Sequence, residues 1–96
     1  MAAGYQLYIA DGVVSASGTP VAIYAVNIVS NGAAIGKVIL RNGTSASDTA
    51  VISINGSTGI GTLHDFGGAG LVFPSGCFVD IDANTAQATV AFKRFQ

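Results

Sequence analysis

The chain has 96 residues, half of them hydrophobic and only 9% charged, with a net charge of −1 and no glutamate. That length bounds it to a single domain, residues 1–96, in which residues 1–20 form an N-terminal strand or arm. So little charge excludes a disordered chain, which would be charge-rich and poor in β-branched residues, and a nucleic-acid surface, which needs a stripe of Lys and Arg where this chain has only Lys93-Arg94 as an adjacent pair.

In chain order the first strand is read over Tyr5–Ala10, closed by Asp11-Gly12. A short Val13-Val14 piece and a Ser/Gly/Pro stretch from Ser15 to Pro20 follow. The longest strand is Val21–Ser30. Its alternating sets, Val21/Ile23/Ala25/Asn27/Val29 and Ala22/Tyr24/Val26/Ile28, are both largely apolar, so both faces are expected to be buried, one of them by a neighbouring subunit. Val21, Ile23, Tyr24, Val26 and Ile28 are therefore the candidate interface.

Further strands are read over Gly36–Arg41, Ala50–Ile54, Thr62–Phe66, Leu71–Phe73, Cys77–Asp82 and Gln87–Phe95. The pairs Asn31-Gly32, Asn42-Gly43 and Asn55-Gly56 are the residues that tight type I′ hairpins favour, because Asn and Gly reach positive φ at least cost. No long segment carries helical spacing. About eight short strands with turn signals about every 8–12 residues make an all-β, single-domain antiparallel β-sandwich. Spacing alone does not separate a jelly roll from an immunoglobulin-like order, although the Trp and paired Cys of true immunoglobulin domains are missing.

Chemistry is sparse. His64-Asp65 could belong to a nucleophilic triad, but no G-x-S-x-G elbow marks a nucleophile. Asp80, Asp82 and Asn84 begin like a calcium loop, yet Thr85 and Ala91 stand where that loop needs Gly and Glu. Gly59-Ile60-Gly61 lacks the third glycine of a dinucleotide fingerprint, and Gly67–Gly70 lacks the Lys of a phosphate loop. One His and one Cys make no transition-metal set, and Cys77, between Gly76 and Phe78 in an apolar run, reads as a buried thiol. The expectation is no catalytic residue, no metal and no cofactor. Tyr5, Tyr8 and Tyr24 are the candidate glycan contacts, since a tyrosine offers a sugar both an apolar face and a hydroxyl. The N-terminal residues lack a positive n-region, and Val21–Val29 is too short to span a bilayer, so a protein made in a cytoplasm and kept off membranes is expected.

Val38-Ile39-Leu40-Arg41-Asn42-Gly43-Thr44, the two strands joined by a Pro-Ser-Gly turn in Gly70-Leu71-Val72-Phe73-Pro74-Ser75-Gly76-Cys77-Phe78-Val79-Asp80, and the closing Ala88-Thr89-Val90-Ala91-Phe92 resemble small jelly-roll virion proteins of tailed bacteriophages, those that decorate capsids or sit on tails. The resemblance covers more than half the chain through structural motifs. It implies a non-enzymatic capsid decoration or cement subunit, assembled as a homotrimer and bound to the major capsid protein, or alternatively a tail- or fibre-associated module that contacts host glycans.

Overall fold

A computed structural model describes residues 2–14, 19–32, 34–57 and 61–94. Residues 15–18 and 58–60 and Phe95, which several of the readings above touch, lie outside the described residues. The described chain is all β: β1 (Ala2–Tyr8), β2 (Gly12–Val13), β3 (Val21–Ser30), β4 (Lys37–Asn42), β5 (Thr49–Asn55), β6 (Gly61–Asp65), β7 (Leu71–Phe73), β8 (Cys77–Ile81) and β9 (Thr85–Arg94). They form two antiparallel sheets. The first runs β1-β9-β3-β6, with β7 also paired to β3, and the second runs β2-β8-β4-β5.

The pairings have a simple logic. β4 pairs with β5, β3 with β6 and β7, β2 with β8, and β1 with β9. These are nested antiparallel pairs, so the chain is one long doubled ribbon whose closed end is the β4–β5 hairpin. Wrapping that ribbon brings β3 against β9 and β4 against β8, which closes each sheet. This is the winding of a jelly roll, with β6 and β7 as one interrupted strand.

The winding corrects the turn reading. None of the three Asn-Gly pairs closes a two-residue hairpin. Asn31-Gly32 and Asn55-Gly56 begin connections that cross between the sheets, and Asn42-Gly43 opens a longer loop up to β5 at Thr49. A wrapped ribbon needs crossings where a meander would need tight hairpins.

The core lies between the sheets. Val21, Ile23, Val26, Ile28, Phe73, Val90 and Phe92 come from the first sheet, and Val38, Leu40, Ile54, Cys77 and Val79 from the second. The two-faced pattern of β3 has a local cause. Ile23 pairs with Phe92 and Ala25 with Ala91, which leaves Tyr24 as the extra residue of a β-bulge. The bulge shifts the alternation by one, so Val21 and Ile23 point inward together with Val26 and Ile28. One face is core; on the other Ala22 is buried, while Tyr24, Ala25, Asn27 and Val29 are half-buried.

Two acids tie loops to the second sheet. Asp48 Oδ2 accepts the N–H groups of Thr44 (2.8 Å) and Ser45 (3.0 Å) and the Ser45 hydroxyl. The Thr44 and Ser45 N–H groups lower its pKa. Burial acts to raise the Asp82 pKa, but the Lys37 N–H, the Thr85 hydroxyl and the Asn84 N–H on its carboxylate outweigh it, and the net shift is downward. A lowered folded-state pKa gives stability that is present above the unfolded value of about 3.9 and lost as pH falls through the folded value. Urea midpoints should therefore hold steady down to about pH 5 and drop below about pH 4, and Asp82→Asn and Asp48→Asn should each flatten that drop. A midpoint that is flat to pH 2.5, or a drop that is unchanged in both variants, contradicts the assignment.

Candidate functional site

The two outer faces differ in chemistry. On the second sheet Arg41 donates from Nε (3.0 Å) and Nη2 (2.9 Å) to Asp80 Oδ2 and from Nη1 to the Asp48 carbonyl (3.1 Å). Asp11 accepts the Ile81 N–H across the rim, and Lys37 and Asp82 lie close by. Most of the chain's charge is gathered there.

The outer face of the first sheet is different. Register places Tyr5, Ala91, Ala25 and Asp65 in one row across β1, β9, β3 and β6, and Leu7, Thr89, Asn27 and Leu63 in the next. Val72 on β7 stands beside Ala22, which pairs on its other side with Lys93. Tyr5 is 80% exposed, Leu63 66%, Leu7 55% and Val72 51%, although all four are large and apolar. Ile9, just past β1 and two residues from Leu7, is exposed as well. Lys93 and Asp65 are the only charged residues in these rows, and both lie at the same end of the sheet. Scattered apolar residues on a surface are ordinary, but Tyr5 and Leu7 on one edge strand and Leu63 and Val72 on the opposite edge, flanking a middle of Ala, Thr and Asn, mark an interaction surface.

The bulge shapes one end of this face. Tyr24 lies where β6 and β7 part, and its carbonyl accepts the Phe66 N–H at 2.9 Å. Tyr5, Tyr24, Gly4, Gly68, Ala91 and Lys93 line an open groove of about 390 Å³ there.

The structure separates the sequence-predicted residues. Of the candidate interface, Val21, Ile23, Val26 and Ile28 are wholly buried in the chain's own core, so they cannot touch a neighbour; Tyr24 alone keeps surface. Of the candidate glycan contacts, Tyr5 and Tyr24 share the groove. Tyr8 points the other way, into the core, with its ring so close to Gly12 that a β-carbon there would stand 2.6 Å from Tyr8 Cε1. Burial, and to a lesser extent Cys77, pushes the Tyr8 pKa up to about 12, against a lowering by Arg94. Leu7, Leu63 and Val72 were not singled out from sequence. The i, i+2 spacing of Tyr5, Leu7 and Ile9 was the available signal.

His64 and Asp65 do not act together. Adjacent strand residues point to opposite faces. His64 reaches inward and its Nε2 bonds the Asn55 carbonyl across the sandwich at 2.7 Å, while Asp65 Oδ1 accepts the Gly67 N–H at 2.8 Å. Asp80 and Asp82 are taken by Arg41 and by the Lys37–Thr85 corner. Cys77 is fully buried, and burial raises its pKa to about 12. The thiol should stay silent to Ellman's reagent at pH 8 and react in full only in denaturant; rapid reaction of the folded protein would contradict its burial. Among the described residues no helix is long and apolar enough to cross a membrane. No protein family, curated protein or solved structure matches the chain.

Proposed function

We propose that this chain is a non-enzymatic structural protein of a virion, a decoration or cement subunit that binds the major capsid protein of a bacteriophage shell, associates with copies of itself and stabilises the lattice. The observation that carries this reading is the outer face of the first sheet, which exposes Tyr5, Leu7, Leu63 and Val72 and holds only Lys93 and Asp65 as charges, on a jelly roll whose other charges lie mostly on the opposite side. Burying such a face contributes roughly 25 cal/mol per Å² without any catalytic group. Cosedimentation of the purified protein with capsid shells, with copy number per particle read from a quantitative gel, tests it. High copy number on shells is expected; a chain that never sediments with capsids or tails overturns the reading.

The groove between Tyr5 and Tyr24 favours one second reading, a tail- or fibre-associated module that holds a glycan by stacking on these rings. A glycan array then gives a signal that Tyr5→Ala and Tyr24→Ala each abolish and Tyr8→Phe leaves intact. Low copy number together with that pattern would select this reading over decoration.

A further inference from the structure

We infer that the outer face of the five-stranded sheet packs against the same face of a second copy of this chain, about a two-fold axis running along the strands. The inference rests on the assembly reading above and names the neighbour that this face takes. It departs from the three-fold assembly that the sequence resemblance implies.

The face fits itself. A two-fold axis parallel to the strands keeps each row over its own row and exchanges the sheet's edges, so β1 of one copy lies over β6 of the other. Within the second row, Leu7 stands at the β1 edge and Leu63 at the β6 edge. Each leucine therefore meets the other copy's partner leucine, a contact made twice, as an isologous interface requires. In the first row Tyr5 comes over Asp65 in the same way. The small residues Ala91, Ala25 and Ala22 along the middle strands let the two sheets approach to about 10 Å.

Charge selects this axis over the alternative. Lys93 and Asp65 lie at the same end of the face. With the axis along the strands that end meets itself, and each copy's lysine comes within reach of the other's carboxylate. An axis across the strands would instead press both charges against Val29, Gln87 and Gly61, leaving them desolvated and unpaired, which is costly.

The area is sufficient. Four strands spaced about 4.8 Å and about six residues long at 3.3 Å per residue give a face of roughly 400 Å² in projection. Two such faces with their side-chain relief remove on the order of 1,000 Å², the lower bound for a specific interface. A reversible dimer with a dissociation constant in the micromolar range is the expected result.

Sedimentation velocity of the purified full chain across about 1–200 µM tests this, because that range brackets a micromolar constant. A concentration-dependent monomer–dimer equilibrium is expected. Leu7→Lys and Leu63→Asp each place a charge against the opposing leucine and should raise the dissociation constant at least about tenfold. The double variant puts each new lysine over the other copy's new aspartate and should return to within about threefold of the parent. Both positions are exposed, so far-UV circular dichroism should be unchanged in every variant. A monomer throughout, a trimer, single variants that dimerise like the parent, or a double variant no tighter than the singles would each overturn the inference. A chain that stays monomeric yet sediments with shells sinks the two-fold inference and leaves the virion reading standing. A dimer that obeys the charge swap but binds no particle does the reverse.

Discussion

Phe73→Ala should cost about 3–5 kcal/mol of folding stability, the usual range for truncating a fully buried phenylalanine. Phe73 is the bulkiest of the fully buried side chains. It belongs to a strand of three residues that, among the described residues, pairs only with Val21–Ile23 of β3. Directly after it the chain crosses to the second sheet, through a turn in which the Gly76 N–H bonds the Phe73 carbonyl and the Gly43 N–H bonds the Gly76 carbonyl. The ring therefore both fills the core and holds the crossing in place. For a small domain with about 5–15 kcal/mol in total, the loss takes a large share of the stability. Urea unfolding should show a much lower midpoint for Phe73→Ala and a change under about 1 kcal/mol for Val72→Ala, the exposed neighbour. Equal costs at the two positions would contradict the inward placement of Phe73.

Gly36→Ala is the second large effect, for a different reason. A β-carbon at Gly36 would stand 2.5 Å from Thr85 Oγ1, 3.0 Å from Thr85 Cα and 3.1 Å from the Asn84 carbonyl. Two of those atoms are backbone and cannot swing aside. The Gly36 N–H donates to the buried Ser30 hydroxyl at 2.8 Å, and its carbonyl accepts the Gly56 N–H at 2.9 Å. Any shift that relieves the clash pulls on both bonds and on the Thr85 hydroxyl, which donates to Asp82. A loss of about 3 kcal/mol is expected from overpacking together with weakened buried hydrogen bonds. Gly68→Ala, where a β-carbon meets nothing within 4 Å, is the control and should be nearly neutral. The same urea series decides it, and a neutral Gly36→Ala would mean that the β3–β4 connection is looser than described.

Strand content was legible where residue type and burial agree. Val21–Ser30 and Leu71–Phe73 occupy the spans their β-branched and aromatic residues predict. β1 begins earlier than expected because Ala2, Ala3 and Gly4, poor strand formers alone, are held by pairing with Arg94, Lys93 and Phe92. The bulge at Tyr24 was illegible. It arises from the register between β3 and β9, and no local feature of Tyr24 announces it. That single residue gathers Val21 and Ile23 from one alternating set and Val26 and Ile28 from the other onto the same inner face, which is why both sets read as apolar. The exposed face was hidden for a related reason: Leu63 sits between Thr62 and His64, and alternation alone would place the leucine inward and the polar pair outward. His64 instead takes its partner from Asn55 on the other sheet, nine residues back along the chain, and the crossing that brings the two together has no signature in the alternation.

The nested ribbon also fixes when the molecule can come into being during synthesis. β9 is an inner strand of the first sheet, between β1 and β3, and β8 is an inner strand of the second, between β2 and β4. Both follow in the chain every strand that they join. Until they are made, β1 and β2 have no partner in their sheets, and only the β4–β5 hairpin and the β3 pairs with β6 and β7 can close. The nascent chain must therefore carry β1 and β2 unpaired in their sheets until β8 and β9 have been made, and the ten-residue β9 then joins β1 to β3.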